Sequence, residues 1–113
     1  MNAVESHWLD DEALRAAYEF LIRAAFHDCV LPDVVTLRLR RKKGCDGFHY
    51  PHQDKIDICP DQTPYAVLRT LAHEIVHMVL EKQGDAELKD HDANFKALAK
   101  IVCRRMGWPL KGF

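Results

Sequence analysis

The sequence predicts an α+β domain in the order helix, three strands, helix, helix, with an antiparallel or mixed sheet packed against the helices. Three observations predict it. Two long stretches, about Asp11 to His27 and Pro64 to Gln83, repeat apolar residues at helical spacing between recognisable caps. The stretch between them breaks into short β-branched and aromatic runs separated by glycines and turn residues. A third helical stripe closes the sequence, and 113 residues suit one domain with one core over 1–113.

In the first helix Leu14, Ala17, Tyr18, Leu21, Ile22, Ala25 and Phe26 mark the apolar face, with Asp10 or Asp11 as N-cap. Leu31-Pro32-Asp33 breaks the chain, and Val34 to Arg40 follows as a strand. Phe48 to Tyr50 and Lys55 to Cys59 read as two more strands joined by a turn near His52-Gln53-Asp54. Pro60 to Pro64 stops the last strand, and Thr63 as N-cap with Pro64 at the first helical position starts the second helix. Gly84 lies beyond its end, and a polar loop, Asp85 to Asp90, leads to a helix with the stripe Phe95, Leu98, Ala99, Val102 and Met106. Gly107-Trp108-Pro109 ends it.

Composition excludes several classes. With 48% apolar and 29% charged residues the chain resembles a globular domain rather than a disordered or membrane one. No apolar run is long enough to span a bilayer, and the first residues lack a signal peptide's regions, so a cytoplasmic protein without membrane contact is expected. Cys29, Cys45, Cys59 and Cys103 form no Cys-x-x-Cys pair and are expected as free thiols. A net charge of −1 predicts no global attraction to nucleic acid.

Chemistry concentrates in His73-Glu74-Ile75-Val76-His77. Histidines four apart on a helix stack on one face and can share one Zn²⁺, while Glu74 is placed to hydrogen-bond a water rather than to ligate. Leu68, Leu71, Ala72, Ile75, Val76 and Val79 are expected to take the core, with His73, His77 and Leu80 on an adjoining face. With seven His and six Glu in the chain, random order would produce the pattern roughly 2% of the time. A catalytic zinc needs a third protein ligand. His91, separated from His77 by 13 intervening residues and four before Phe95, is expected on the third helix and facing the second, with Asp85, Glu87, Asp90 and Asp92 as competing donors. His7, His27, His49 and His52 lack ligand spacing, although His49, Tyr50 and His52 could reach the cleft as oxyanion stabilisers.

Leu71 to His77, the polar loop and the run from His91 to Leu98 together resemble the SprT-like zincin family, which includes Spartan-type proteases. The likeness extends over most of the chain: an N-terminal helix, a short sheet whose last strand resembles Lys55 to Cys59, then the metal helix. It implies a minimal zincin-like domain and a zinc metallopeptidase, with His73, His77 and His91 as zinc ligands and Glu74 as catalytic acid/base. Asp92 departs from the family's usual Gly, a change expected to alter the turn or to bring a carboxylate to the metal's outer shell. Neither the C-terminal zinc ribbon of bacterial members nor the DNA-binding and partner-binding regions of Spartan-type proteins is expected within these residues.

The implied substrate is a protein or peptide, paired by its main chain to Lys55–Ile58 if that strand is the sheet edge beside the cleft. Arg38, Arg40, Arg41, Lys42 and Lys43 form one concentrated basic run. It reads as a solvated strand end or as a contact for DNA or an acidic partner, which would place the enzyme on DNA-associated proteins. The competing class is a DNA-associated binding module with a non-catalytic zinc site, and Glu74 argues against it because a structural site needs no general base.

Overall fold

The computed structural model describes residues 8–84 and 91–113. His7 and the loop Asp85 to Asp90, with its candidate donors Asp85, Glu87 and Asp90, lie outside the described residues. The chain forms an α+β domain: α1 (Asp11–Ala25), β1 (Thr36–Leu39), β2 (Gly47–Tyr50), β3 (Lys55–Ile58), α2 (Pro64–Lys82) and α3 (Ala93–Met106). No described helix is long and apolar enough to cross a membrane.

Local chemistry accounts for the helix ends. Asp10 caps α1 by accepting from Ala13 N at 2.8 Å, and Thr63 caps α2 by accepting from Ala66 N at 3.2 Å. Gly107 ends α3 at φ 71°, a left-handed position that a glycine adopts without a Cβ clash. The first helix stops two residues short of the expected His27 because Phe26 leaves helical geometry (φ −126°, ψ 22°) and is fully buried. Arg105 of α3 then takes the carbonyl of Ala25 at 3.0 Å and grips Asp28 with both terminal nitrogens, joining the two helices. Its guanidinium holds the Asp28 carboxyl well below the usual carboxylate range.

The sheet order is β1-β3-β2, with β3 parallel to β1 and antiparallel to β2. The expected turn between β2 and β3 is present, and His52 and Asp54 adopt positive φ there. Pairing of β1 begins only at Thr36, whose N–H donates to Asp54 O, and Val34 before it is exposed. Helix α2 lies across β2 and β3, while α1 covers β1 and meets both other helices. Because it is packed from several sides, α2 buries more than one stripe. Val67, Met78 and Leu80 join Leu71, Ala72, Ile75, Val76 and Val79 in the core, whereas Leu68 is only partly buried.

Asp57 of β3 is, with His49 and Glu74, one of the buried polar residues among those described. Burial pushes its carboxyl up, but bonds from Arg38 (2.8 and 3.1 Å) and the Tyr50 hydroxyl (2.6 Å) outweigh that and hold it below its ordinary value. A group depressed in the folded state stabilises above its unfolded pKa and loses that contribution as pH falls through the folded one. Asp57→Asn leaves Arg38 without its charge partner and is expected to cost about 2–3 kcal/mol at pH 7. Urea midpoints of the two proteins should converge only below the ordinary aspartate range; a constant gap down to that range and beyond would contradict the assignment.

Candidate metal centre

The part of α2 not covered by the core carries His73 and His77, both half-buried, with ring centroids 5.1 Å apart. Glu74, between them in sequence, is itself buried. His91 belongs to the segment that leads into α3. Contrary to expectation it is not on α3: the helix starts at Ala93, its N-cap is Asp92, and His91 precedes the cap in a left-handed conformation (φ 59°). A non-glycine residue held there stores strain on the order of 1–3 kcal/mol, of the kind that clusters at functional sites. Asp92 is accounted for by the same turn. Its carboxylate accepts from Phe95 N at 3.0 Å and is committed to starting the helix.

The three imidazoles converge. Nε2 of His91 lies 3.0 Å from Nε2 of His73, and one nitrogen from each of His73, His77 and His91 falls within 4.8 Å of the others. Nitrogens sharing a tetrahedral ion at metal–N distances of about 2.0–2.1 Å would stand about 3.3 Å apart, so small side-chain adjustments complete such a site. Phe95, buried beneath, packs on all three rings, with centroids 4.9 Å from His73, 4.7 Å from His77 and 4.4 Å from His91. On the opposite side of His73, Nδ1 is 2.6 Å from the backbone oxygen of Phe113. A ring that donates its Nδ1–H to a carbonyl keeps Nε2 as its lone-pair nitrogen, the arrangement typical of metal-ligating histidine. Three neutral nitrogen donors suit zinc and several other transition metals, and three protein ligands leave a coordination position for water or substrate.

His73 and Glu74 line two adjoining cavities. One, of about 430 Å³, continues over His77 and His91 along Phe48, His49 and Pro51; the other, of about 320 Å³, continues past Thr70 and Arg69 towards Gly44, Cys45 and Phe113. Gly47 lines both, so the two form a groove that follows β2 and crosses the histidine cluster at its middle. Gly47 is what lets the strand come so close. A Cβ at this position would stand 2.6 Å from Thr70 Cγ2 on α2. At the far end of the strand, Glu81 of α2 accepts from His52 N at 2.8 Å and stands 3.6 Å from His49 Nε2, tying the hairpin turn to the helix.

This arrangement corrects the expected edge. Lys55–Ile58 is the central strand, bonded on both sides, because the parallel pairing with β1 occupies the edge that β2 leaves open. The strand beside the cleft is β2, and no described strand pairs with its outer edge. A proline at Asp57 would therefore break the sheet rather than probe substrate pairing. Of the three residues considered for the cleft, only His49 lines it; Tyr50 turns to Asp57 on the other face of the sheet, and the His52 side chain is exposed.

The basic run is partly neutralised within the chain. Arg38 is committed to Asp57, Arg41 makes a bidentate pair with Asp61 (2.6 and 2.9 Å), and Lys42 sits 4.4 Å above the Phe48 ring. Cys29, Cys45, Cys59 and Cys103 are free thiols, and burial pushes Cys29 and Cys103 up, away from the thiolate form a metal needs. No protein-family profile matches the chain, and no curated protein matches it closely enough to name a relative.

Proposed function

We propose that this chain is a zinc-dependent metallopeptidase with a zincin-like active site. The observation that carries the reading is the convergence of His73, His77 and His91 beside the buried Glu74, midway along a groove that follows a strand edge. His73, His77 and His91 would hold the zinc, which when bound would supply the Lewis acidity that lowers the pKa of a water towards about 7 and polarises a carbonyl. Glu74 accepts the water's proton and delivers it to the leaving amine. The outer edge of β2 offers main-chain hydrogen bonds to an extended polypeptide, a mode that gives affinity with little sequence preference. Phe95 keeps the underside of the histidines dry, which strengthens each electrostatic interaction above it.

Action on DNA-associated proteins rests on the resemblance to Spartan-type proteases and on the run Arg38–Lys43, where Arg40, Lys42 and Lys43 are exposed. The alternative, a DNA-associated binding module with a non-catalytic zinc site, uses the same cations but assigns nothing to Glu74. Metal analysis together with cleavage of casein and histone, with and without DNA, separates the two. A peptidase should hold about one zinc per chain and degrade casein or histone. Stoichiometric zinc with no cleavage under any of these conditions would favour the binding module.

A further inference from the structure

Arg69 stands on α2 four residues before His73; besides lying 5.8 Å from the Tyr65 ring centroid, its guanidinium binds the segment from Trp108 to Phe113. Its Nη1 donates to Pro109 O at 3.0 Å and its Nη2 to Lys111 O at 3.2 Å. The guanidinium carbon also lies 5.5 Å from the ring centroids of both Trp108 and Phe113, within cation–π range. Between these contacts the segment reverses in a tight turn, with Phe113 N donating to Leu110 O at 3.1 Å and Gly112 at φ 82°. The reversal is what brings the Phe113 backbone oxygen to Nδ1 of His73.

We propose that Arg69 is a positioning residue for His73: by pinning the segment from Trp108 to Phe113 it holds the backbone acceptor that keeps the His73 proton on Nδ1 and presents Nε2 to the metal. A neutral imidazole carries one N–H and exchanges it between two nitrogens, and an acceptor at one side stops the exchange and fixes the ring's rotation. A guanidinium suits this task because its planar fork bonds two carbonyls at once while stacking on aromatic faces; an ammonium bonds as a point charge. Loss of such an outer partner typically weakens metal binding 10- to 100-fold.

The consequence for zinc rests on the metal-centre reading, so the test has one arm that needs no metal. Ring ¹⁵N spectra of the zinc-free protein should show His73 as the Nδ1–H tautomer, and Arg69→Met or removal of Phe113 should turn it into a mixture. In chelator competition the same changes should each weaken zinc binding about 10-fold or more, with Arg69→Lys intermediate. The combined change should cost little more than the larger single one, because both remove the same contact. Folded variants with the wild-type tautomer and zinc affinity would overturn the inference. If Arg69→Met does not fold, Arg69→Lys decides, since an ammonium cannot hold both carbonyls as the guanidinium fork does, and a wild-type tautomer and zinc affinity in that variant would overturn the inference. A wild type that binds no zinc would sink the metallopeptidase reading, and the tautomer would still decide the contact.

Discussion

Glu74→Gln is expected to keep the fold and the zinc and to lose peptide hydrolysis by at least 10²–10⁴-fold, the usual contribution of a general base. The amide occupies the same volume, so the buried position on α2 should accept it with little change in packing. It cannot take a proton from water at neutral pH, so it holds none to deliver to the leaving amine. The loss should fall on kcat, because the groove along β2 that binds the substrate is untouched. A zinc-loaded Glu74→Gln protein cleaving at the wild-type rate would end the assignment of Glu74, whatever else the centre does.

The second large effect concerns His91. Replacing it with Ala should abolish stoichiometric zinc after dialysis, because a three-ligand site reduced to two loses most of its affinity. Stability should change far less than for a core truncation, since His91 lies outside the helices and its left-handed backbone is itself strained. The competing donors separate cleanly in the same experiment. Asp92 already spends its carboxylate on the α3 N-terminus, so Asp92→Asn should keep zinc, asparagine being an equally good N-cap. Full zinc occupancy in His91→Ala would shift the third ligand to Asp85, Glu87 or Asp90.

The pattern of what could be read from sequence follows the range of the interactions. Thr63-Pro64 and Gly84 bracket α2 through purely local chemistry, and the structure places that helix at Pro64–Lys82. The spacing of His73 and His77 is equally local, since a helix alone sets it. Spacing and family likeness single out His91 as a candidate, but not its place ahead of the helix. Asp92 is a strong N-cap candidate directly after it, followed by a helix-forming run, and weighing that signal would have started α3 at Ala93.

Strand order is less legible, and the cause is distance along the chain. Alternation marks Lys55–Ile58 as a strand but does not say whether its neighbours are one or two. The parallel pairing of β1 with β3 joins residues 19 positions apart, such as Thr36 and Lys55, with β2 lying between them in sequence. One signal was available: Asp57 is a carboxylate inside an apolar strand, and a buried charge demands partners on a neighbouring strand. Arg38 is that partner. The contact between His73 and Phe113, 40 residues apart, and the role of Arg69 carry no periodicity or motif. Arginine near aromatic residues is common, and only the folded turn at Gly112 brings Phe113 to join Tyr65 and Trp108 around Arg69.

The most direct measurement is the rate at which the purified protein hydrolyses an unfolded protein substrate through one cycle of zinc removal and return. The account predicts cleavage by the zinc-loaded protein, loss of cleavage when a chelator strips the metal while the fold is retained, and recovery on adding about one equivalent of zinc. Cleavage that persists in the verified zinc-free protein would contradict it, as would a fully zinc-loaded protein that leaves casein, histone and short peptides intact with and without DNA.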